Sequence, residues 1–404
     1  MKHVIIGAGA AGISAAKTIR ENGQDEIVII STDDAVYSRC MLHKYIGGCR
    51  NVAELSFIPD NFFDENKITW HSNTTVTSVD TANQLVHFNG GVEIYDSLLI
   101  AAGAESVLPP IDGLQEAKNV FGLRHLTDAK AIRQNAANAN NILIIGAGLV
   151  GLDAAYGLLE MGKKPTVVEM SANILPQNMD ARAAQTYKAK FEEAGCKFLL
   201  ENRVVSVQTD ASGAVSHINL STGKQLDCDL LIVAVGVRPS VSFLQDSDIV
   251  CERGIIVDSY FATNIKGVYA AGDVTGISES WPDAIRHGEV AALNMCGIPT
   301  PYDDALVQKN TVNFFGIPTL SVGKFKLLDG DVEDFREDSE CYQKIIIRSG
   351  APVGIILQGD ISRSGFWQHI IKNNMNIAQI QKSVWKVSFA DSYGIDENGE
   401  YKWM

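Results

Sequence analysis

Residues 4–12 read V-I-I-G-A-G-A-A-G, and residues 142–151 repeat this pattern as I-L-I-I-G-A-G-L-V-G. Each copy is a short apolar run followed by G-x-G-x-x-G and a helix-forming stretch, which covers 13–20 after the first copy and 152–161 after the second. A glycine-rich turn joins a strand to a helix in this order in dinucleotide-binding domains. The repetition therefore predicts two such domains in one chain.

The three glycines of each copy have separate physical roles. The first permits the tight turn, the second lets the backbone approach a pyrophosphate, and the third lets the helix pack closely against the strand. The helix N-terminus adds free N–H groups and the positive end of the helix dipole. The glycines are Gly7, Gly9 and Gly12 in the first copy and Gly146, Gly148 and Gly151 in the second.

The end of the following strand predicts which nucleotide each copy binds. In the second copy the apolar run 165–168 ends at Glu169, whose carboxylate can accept hydrogen bonds from the adenine ribose hydroxyls. This charge would repel the extra phosphate of NADPH, and 170–173 contain no lysine or arginine to offset it. We therefore expect NADH. The first copy has Ser31 at this place, with Asp33 close behind, and either could replace the missing carboxylate.

Composition narrows the class of protein. The chain of 404 residues is long enough for two or three domains, and its net charge of −14 argues against a nucleic-acid partner. No apolar run is long enough to span a membrane, and the N-terminus enters a strand pattern without the features of a signal peptide. Seven cysteines, an odd number without metal-type spacing, favour a reducing cytoplasm and predict no metal site.

Three further segments make the chain resemble the FAD- and NAD(P)-dependent pyridine nucleotide-disulfide oxidoreductases. These segments are 98–104, 231–239 and 268–273, and they follow one another in that family's order. Within this family the chain resembles rubredoxin and ferredoxin reductases and the N-terminal part of NADH-dependent nitrite reductases. The resemblance covers residues 1–300.

The resemblance implies an α/β fold with two Rossmann-like, three-layer dinucleotide-binding domains, as in glutathione reductase, and a small α+β C-terminal domain. It assigns 1–110 and 231–300 to an FAD-binding domain, 111–230 to an NAD(H)-binding domain and 301–404 to the C-terminal domain. In the C-terminal part we expect strands near 311–315, 319–322, 342–347 and 354–357, helices near 365–372 and 377–382, and a solvated hairpin tip at 329–340.

The resemblance also implies the residues that hold each cofactor. Asp273 would hydrogen-bond the ribityl chain of FAD, and Ala284 lies on a helix whose N-terminal amides would face the flavin. The implied FAD residues are Gly7, Gly9, Gly12, Ser31, Arg39, Lys44, Ala102, Gly103, Gly272, Asp273 and Ala284, and the implied NAD residues are Gly146, Gly148, Gly151, Glu169 and Gly236.

Residues 37–44, Y-S-R-C-M-L-H-K, indicate the subfamily. Disulfide reductases of the family carry C-x-x-x-x-C here, whereas Cys40 is followed only by Cys49. The segment instead resembles the Y-x-R-x-x-L-x-K pattern of ferredoxin and rubredoxin reductases. That resemblance implies that Arg39 contacts the FAD phosphates and that Lys44 lies near flavin N5, where an ammonium favours the anionic reduced flavin.

Cys40 leaves a second function open. Relatives with a single reactive cysteine in a similar place include coenzyme A-disulfide reductases, peroxidases and water-forming NADH oxidases. A thiolate beside a helix start would have a lowered pKa and react readily. Those relatives follow the cysteine with a glycine-rich turn, whereas Met41-Leu42-His43 follows here. In the other interpretation Cys40 is a small packed residue.

The leading hypothesis is that electrons pass from NADH through FAD to a small iron–sulfur or rubredoxin-type carrier protein. The stretch 362–388 contains only basic charges and could receive an acidic partner of this kind. A third hypothesis is a flavin subunit of a larger redox complex, to which the aromatic tail would contribute, and a homodimer is also left open. The basic residues are Arg363, Lys372, Lys382 and Lys386, and the tail aromatics are Tyr393, Tyr401 and Trp403.

Overall fold

The computed structural model describes residues 1–303, 309–391 and 393–403. The side chains of Tyr393, Tyr401 and Trp403 lie outside the description, so the packing expected of these aromatics stays a prediction. The chain forms two compact units. One comprises Met1–Ala172 and Phe191–Asp303, and the other comprises Asn173–Lys190 with the described residues of Asp304–Met404.

The elements are numbered in chain order. The helices are α1 (Ala10–Asn22), α2 (Leu42–Ile46), α3 (Phe62–Glu65), α4 (Leu126–Ala136), α5 (Leu149–Glu160), α6 (Ala181–Glu193), α7 (Trp281–Met295) and α8 (Ser364–Lys372). The strands are β1 (Lys2–Ile6), β2 (Glu26–Ile30), β3 (Ile68–His71), β4 (Val76–Asp80), β5 (Leu85–Phe88), β6 (Gly91–Ile94), β7 (Ser97–Ile100), β8 (Ala104–Ser106), β9 (Val120–Phe121), β10 (Ile142–Ile145), β11 (Thr166–Val168), β12 (Lys197–Leu199), β13 (Val204–Thr209), β14 (Val215–Leu220), β15 (Gln225–Asp227), β16 (Leu230–Val233), β17 (Val237–Pro239), β18 (Val268–Ala270), β19 (Lys309–Phe314), β20 (Ile317–Gly323), β21 (Val332–Glu337), β22 (Tyr342–Arg348), β23 (Ala351–Gln358), β24 (Tyr393–Ile395) and β25 (Tyr401–Trp403).

Two five-stranded parallel sheets form the centre of the larger unit. The first has the order β18-β7-β1-β2-β3, and the second has the order β12-β11-β10-β16-β9. Read outward from β1 and from β10, the two orders are the same, because β7 and β16 lie on one side and β2 and β11 lie on the other. The central strands are buried on both faces, as continuous apolar runs in a parallel sheet require. The predicted α/β fold class is confirmed.

The sheets correct one predicted boundary. Leu231 was expected to begin the return into the first domain, but β16 pairs in parallel with β10 of the second sheet. Ile232 and Val233 are buried there, so the apolar run completes the second sheet before the chain leaves it. The crossing is made by β17, which pairs antiparallel with β8.

Helices α1 and α7 cross at very short range in the first domain. A Cβ built on Gly288 of α7 would lie 2.2 Å from the backbone oxygen of Ala11 in α1. Ser14 Oγ donates to the backbone oxygen of Ile285 at 3.1 Å across the same contact. This crossing brings the start of α7 to the glycine-rich turn before α1.

The smaller unit is built on an antiparallel sheet of order β19-β20-β23-β22-β21, covered by α8. Strand β21 occupies the acidic run that was expected to be a hairpin tip, and it pairs along its length with β22. The acidic side chains suit this edge position, because charges at a sheet edge discourage pairing with other chains. The helix expected at 377–382 is wrong, since these residues form turns and irregular structure.

Residues 173–190 belong to this unit, although they had been assigned to the second dinucleotide domain. Tyr187 of α6 is buried and donates from its hydroxyl to the backbone oxygen of Ile317 at 2.6 Å. Tyr342 Oη donates to Asp180 at 2.7 Å, and Arg182 pairs with Glu337. The first half of α6 is therefore fixed by hydrogen bonds to the antiparallel sheet. Within the described residues, no helix is long and apolar enough to cross a membrane.

Gly288→Ala is expected to destabilise the larger unit by about 1–3 kcal/mol, because the added methyl group meets a backbone oxygen that cannot rotate away. Chemical unfolding of the FAD-loaded protein followed by fluorescence would measure the change. Gly23→Ala is the matched control, since a Cβ there meets nothing within 4 Å. Equal stability of the two variants would contradict the close crossing of α1 and α7.

Candidate functional site

The two glycine-rich turns have the same geometry. Gly7 and Gly146 have φ of +108° and +101°, and a Cβ on either would lie 2.3 Å from a backbone oxygen, that of Ala101 or Ala234. Any side chain at these places would therefore clash with the neighbouring strand end. The third glycines are as restricted, because a Cβ on Gly12 would lie 1.9 Å from Gly7 O and one on Gly151 would lie 2.0 Å from Gly146 O.

The middle glycines differ, because they face open space. A Cβ on Gly9 or Gly148 would meet nothing within 4 Å, and both residues have ordinary negative φ values. Packing and backbone conformation therefore do not require glycine there. Each is the N-cap of its helix and offers no side chain to the first-turn N–H groups, and no acidic residue occupies either first turn. Both turns fit a pyrophosphate placed against bare backbone amides at a helix N-terminus.

The strand ends confirm which residues occupy equivalent places. Gly7 N donates to Ile30 O at 2.8 Å and Gly146 N donates to Val168 O at 2.9 Å. The next residues, Ser31 and Glu169, are thus structural counterparts. Glu169 accepts from Ala147 N and from Ser171 N, both at 2.8 Å, so its carboxylate lies against the glycine-rich turn. A ribose bound at this turn would meet the carboxylate directly.

In the first copy a polar network replaces that carboxylate. Ser31 is buried, donates to the backbone oxygen of Asp33 at 3.1 Å and accepts from Trp70 Nε1 at 2.9 Å. The Asp33 carboxylate accepts from Tyr37 Oη at 2.8 Å and pairs with Arg39 at 2.9 Å. Both oxygens of Asp33 are therefore engaged within the protein.

Arg39 lies at the centre of this network. Its guanidinium also donates to Arg124 O at 2.8 Å and to His125 Nδ1 at 3.1 Å. A guanidinium can only donate, so we assign the His125 proton to Nε2, which donates to Glu105 Oε2 at 2.6 Å. The structure thus places Arg39 against Asp33, just beyond the strand end that holds Ser31, and its contact with FAD phosphates stays a prediction.

Three of the expected FAD elements meet at Gly272. A Cβ built there would lie 3.1 Å from Ala11 Cβ and 3.6 Å from Ala284 Cβ. The glycine-rich turn, the second FAD segment and the start of α7 therefore converge. At the start of α7, Ser280 Oγ accepts from Asp283 N at 3.2 Å, which caps one amide of that helix.

Arg124 was missed by the sequence interpretation. Its guanidinium donates to Asp273 Oδ2 at 2.5 Å and to the backbone oxygen of Ala104 at 2.9 Å. Gly103 has φ of +71°, and a Cβ on it would lie 3.6 Å from Arg124 Nη2. Arg124 therefore joins the predicted residues Ala102–Gly103 and Asp273. The signal available in the sequence was a cation two residues before the first residue of α4.

On the second sheet, Gly236 corresponds to Gly103. It follows the Ala234 oxygen that approaches Gly146, has φ of +123° and faces open space. Val235 beside it is exposed, as are Val150 in the first turn of α5 and Met170 after Glu169. These apolar side chains surround the second nucleotide turn.

Lys44 of α2 contacts the second domain. Its ammonium lies 2.9 Å from Glu160 Oε1 and 4.6 Å from the centre of the Tyr156 ring, both on α5. The two helices touch closely, because a Cβ on Gly157 would lie 2.6 Å from His43 O. We call this contact of α2 with α5 the α2–α5 seam.

Asp153 and His43 face each other in the α2–α5 seam. Asp153 Oδ1 lies 3.5 Å from His43 Nδ1, which has no hydrogen-bond partner among the described residues. Although 28% of the Asp153 side chain is accessible, loss of nearby water raises its pKa to about 8. The positive charge of Lys44 lowers this pKa, but its effect is smaller. Desolvation, and then the Lys44 charge, lower the pKa of His43 to about 4. A protonated carboxyl and a neutral imidazole therefore face each other near pH 7.

Cys40 is exposed at the start of the same segment. Although the side chain is exposed, partial loss of water around the thiol raises its pKa, the nearby Asp153 adds to this, and Arg124 opposes it. The thiolate expected of a reactive cysteine is therefore disfavoured. His287, another histidine near the motifs, is fully buried beside Phe261 and Tyr302, and burial lowers its pKa, which fits a structural role.

The basic stretch is partly engaged within its own unit. Arg363 donates to the backbone oxygens of Trp385 and Val387, and Lys382 pairs with Asp391. Lys372 and Lys386 are exposed. Arg363 and Lys382 of the expected surface for an acidic partner are therefore engaged within their own unit.

Comparison with known proteins gives two family matches. The pyridine nucleotide-disulphide oxidoreductase family matches residues 1–288, and the rubredoxin NAD+ reductase C-terminal domain matches residues 309–375.

Individual proteins resemble the chain over most of its length. A phenylglyoxylate dehydrogenase subunit epsilon, NADH-dependent, from Aromatoleum evansii is 31% identical over 94% of this chain and 93% of its own. A nitrite reductase [NAD(P)H] from Bacillus subtilis is 29% identical over 94% of this chain, which spans 48% of that protein. The covalent putidaredoxin reductase–putidaredoxin complex has a chain of the same fold, with a TM-score of 0.82, 21% identity, and coverage of 93% and 94%.

Asp153→Asn is expected to change how stability depends on pH. An unfolded aspartate loses its proton near pH 4, whereas the folded one keeps it to about pH 8. The unfolded state therefore binds fewer protons between these values, and the Asp153 contribution to stability falls as pH rises from 4 to 8. Asn stays neutral, so the melting temperature of the variant should gain on the wild type across this range.

Thermal unfolding of both FAD-loaded proteins at pH 5, 6, 7 and 8 measures the difference. Asp60→Asn, which removes an exposed carboxyl, is the control. A difference between Asp153→Asn and wild type that stays constant with pH would show that Asp153 is ionised throughout.

Proposed function

Because the chain belongs to the pyridine nucleotide-disulphide oxidoreductase family, we propose that it carries electrons from NADH through FAD to a small iron–sulfur or rubredoxin-type carrier protein. Membership confirms the predicted family, the enzyme class and the cofactor pair FAD and NADH. The finer points below, namely the domain that holds each cofactor, the site residues and the acceptor, are our proposals.

The observation that carries the proposal is that one compact unit contains two parallel sheets, each with a glycine-rich turn of the same geometry. When bound, FAD supplies two-electron uptake from a nicotinamide and one-electron release, so the protein contributes placement and electrostatics. We assign FAD to the first sheet, where Gly9 leaves room and Arg124 and Asp273 adjoin the turn. We assign NADH to the second sheet, where Gly148 leaves room and Glu169 can bind ribose hydroxyls.

The acceptor is inferred from the smaller unit and from the chemistry of Cys40. Residues 309–375 match a domain found in rubredoxin NAD+ reductases, which supports a small redox protein as partner. Exposed Lys386 favours an acidic one. The raised pKa of Cys40 disfavours the single-cysteine alternative, in which a thiolate reacts with peroxide, oxygen or a small disulfide.

A second candidate is a flavin subunit of a larger redox complex. The phenylglyoxylate dehydrogenase relative, which matches along nearly its whole length, is itself named as a subunit. Reduction of the isolated protein by NADH, followed at the flavin absorbance band, separates the candidates. Full bleaching at one equivalent supports an independent reductase, whereas no bleaching favours a subunit that needs its partners.

We also propose that the protein is located in the cytoplasm, which its seven free cysteines support.

Gly9→Val and Gly148→Val should separate the two nucleotide sites. A Cβ at either position meets no protein atom within 4 Å, so both variants should fold, but each side chain fills the space proposed for a pyrophosphate. We expect Gly9→Val to lose bound FAD. Gly148→Val should keep FAD but bind NADH at least about tenfold more weakly, because one charge-assisted hydrogen bond contributes about 1.5–3 kcal/mol.

Flavin content by absorbance and NADH affinity by titration of flavin reduction measure these effects. Loss of FAD in Gly148→Val with retention in Gly9→Val would reverse the assignment of the sheets.

The protein reduced by NADH should reduce a rubredoxin or ferredoxin at least about tenfold faster than it reduces oxygen, measured by anaerobic and aerated stopped-flow absorbance. Cys40→Ser should leave the carrier rate within about twofold, because placement and not a thiol relay is proposed. Similar rates with carriers and oxygen would contradict the carrier proposal. Loss of carrier reduction in Cys40→Ser, with normal flavin content, would make the cysteine the relay.

A further inference from the structure

We propose that His125 positions the Arg39 guanidinium for the diphosphate of FAD, and that Glu105 holds the proton of the His125 ring on the nitrogen that faces away from Arg39. The inference deepens the proposed function and rests on it, because the contact of Arg39 with FAD phosphates is itself a proposal. It adds two residues to the FAD site, one at the start of α4 and one on β8.

Arg39 uses only part of its donor capacity within the protein. Its Nη1 donates to Tyr37 Oη at 3.1 Å, to Arg124 O at 2.8 Å and to His125 Nδ1 at 3.1 Å. Its Nη2 donates to Asp33 Oδ2 at 2.9 Å. Among the described residues, Nε and the second hydrogen of Nη2 have no acceptor. Nε and Nη2 form one edge of the guanidinium, and parallel N–H donors on one edge match the oxygens of a phosphate.

The direction of this edge is not fixed by Asp33 alone. Asp33 bonds to Nη2 only, and a guanidinium held at one nitrogen can still turn. The acceptors on Nη1 prevent that turn, and two of them, Arg124 O and His125 Nδ1, belong to the start of α4. Tyr37 is joined to the same place, since its hydroxyl accepts from the first backbone N–H of α4 at 3.0 Å. The start of α4 therefore sets the direction in which the remaining donors of Arg39 point.

His125 can accept from Arg39 in only one tautomer. Its Nε2 lies 2.6 Å from Glu105 Oε2, and a carboxylate accepts the proton that Nε2 carries. Nδ1 then keeps its lone pair for Arg39. The backbone N–H of His125 donates to Asp128 at 2.8 Å, which fixes the attachment of the ring at the start of α4. Without Glu105 the ring proton could occupy Nδ1, where it would face the donors of Arg39.

The dissociation constant of FAD, measured from the fluorescence of flavin released when the loaded protein is diluted, tests the assignment. His125→Leu and His125→Ser should each weaken FAD binding about three- to tenfold, the range for one hydrogen bond. His125 is also the N-cap of α4, and serine separates the two roles because it caps helices well but is too short to reach Arg39. His125→Asn, whose amide oxygen replaces Nδ1, should recover most of the affinity.

The control is His217→Leu, which removes a partly exposed histidine paired with Asp227 and should bind FAD as the wild type does. Wild-type affinity in His125→Ser, with weakening confined to His125→Leu, would show that His125 only caps α4 and would overturn the proposal. Glu105→Gln should weaken FAD binding as well, because glutamine can also donate to Nε2 and no longer fixes the tautomer. Unchanged affinity in Glu105→Gln overturns the role given to Glu105.

Arg39→Gln, alone and combined with His125→Ser, separates the positioning from the role proposed for Arg39. Arg39→Gln should weaken FAD binding at least about tenfold, and adding His125→Ser should then change it by less than about twofold, because no guanidinium is left to position. If the two effects multiply, His125 acts independently of Arg39 and the positioning is wrong. If Arg39→Gln has no effect, the contact of Arg39 with FAD phosphates fails and the positioning fails with it. Reduction of the flavin by NADH, which tests the proposed function, enters none of these measurements, so the two failures are distinguishable.

Discussion

The larger unit depends on contacts between backbone atoms that tolerate no side chain. At each nucleotide turn the first glycine lies against the carbonyl oxygen of a neighbouring strand end, Ala101 O or Ala234 O, and the third lies against the oxygen of the first. These contacts set how closely the helix can follow the strand, and hence where its free amides point. Gly288 extends the same principle to the crossing of α1 and α7, and Gly157 extends it to the α2–α5 seam. Because backbone atoms cannot rotate aside, each contact fixes a distance that side-chain packing would leave adjustable.

The two parallel sheets share strand order and turn geometry but have different side chains at the equivalent strand ends. Glu169 keeps its carboxylate against the glycine-rich turn, bonded to two backbone amides. At the equivalent place Ser31 is bonded to Trp70, and negative charge enters two residues later through Asp33, which is tied to Tyr37 and Arg39. One strand end therefore holds a carboxylate against the glycine-rich turn, whereas the other holds its charge inside a network with a cation. This difference follows from single residues, since strand order and turn geometry are shared.

Local sequence patterns were enough to predict the two nucleotide turns. Apolar runs indicate the buried strands, and the glycine spacing indicates where the backbone turns tightly or approaches another strand. They also placed Gly272, Asp273 and Ala284, which the structure brings to the first turn. Arg124, Glu160 and the segment 173–190 were not predicted in their roles. Each is defined by a partner far away in sequence, such as Asp273 for Arg124 or Ile317 for Tyr187. No periodicity encodes such pairings, and the boundary at Leu231 failed for the same reason, because strand pairing and not composition decides the sheet to which a run belongs.

Two effects keep the net charge of the α2–α5 seam low. One is an ion pair, and the other is the protonation states of two facing side chains. Lys44 and Glu160 cancel each other, while desolvation keeps Asp153 protonated, with a pKa of about 8, opposite a neutral His43. A longer acid at 153 would extend further from α5, whereas the shorter aspartate stays beside the imidazole at 3.5 Å. The seam can therefore bring two domains together without burying an uncompensated charge, which would be strongly unfavourable. The Lys44 ammonium is therefore held by a carboxylate of the second dinucleotide domain, and the pair adds no net charge to the seam.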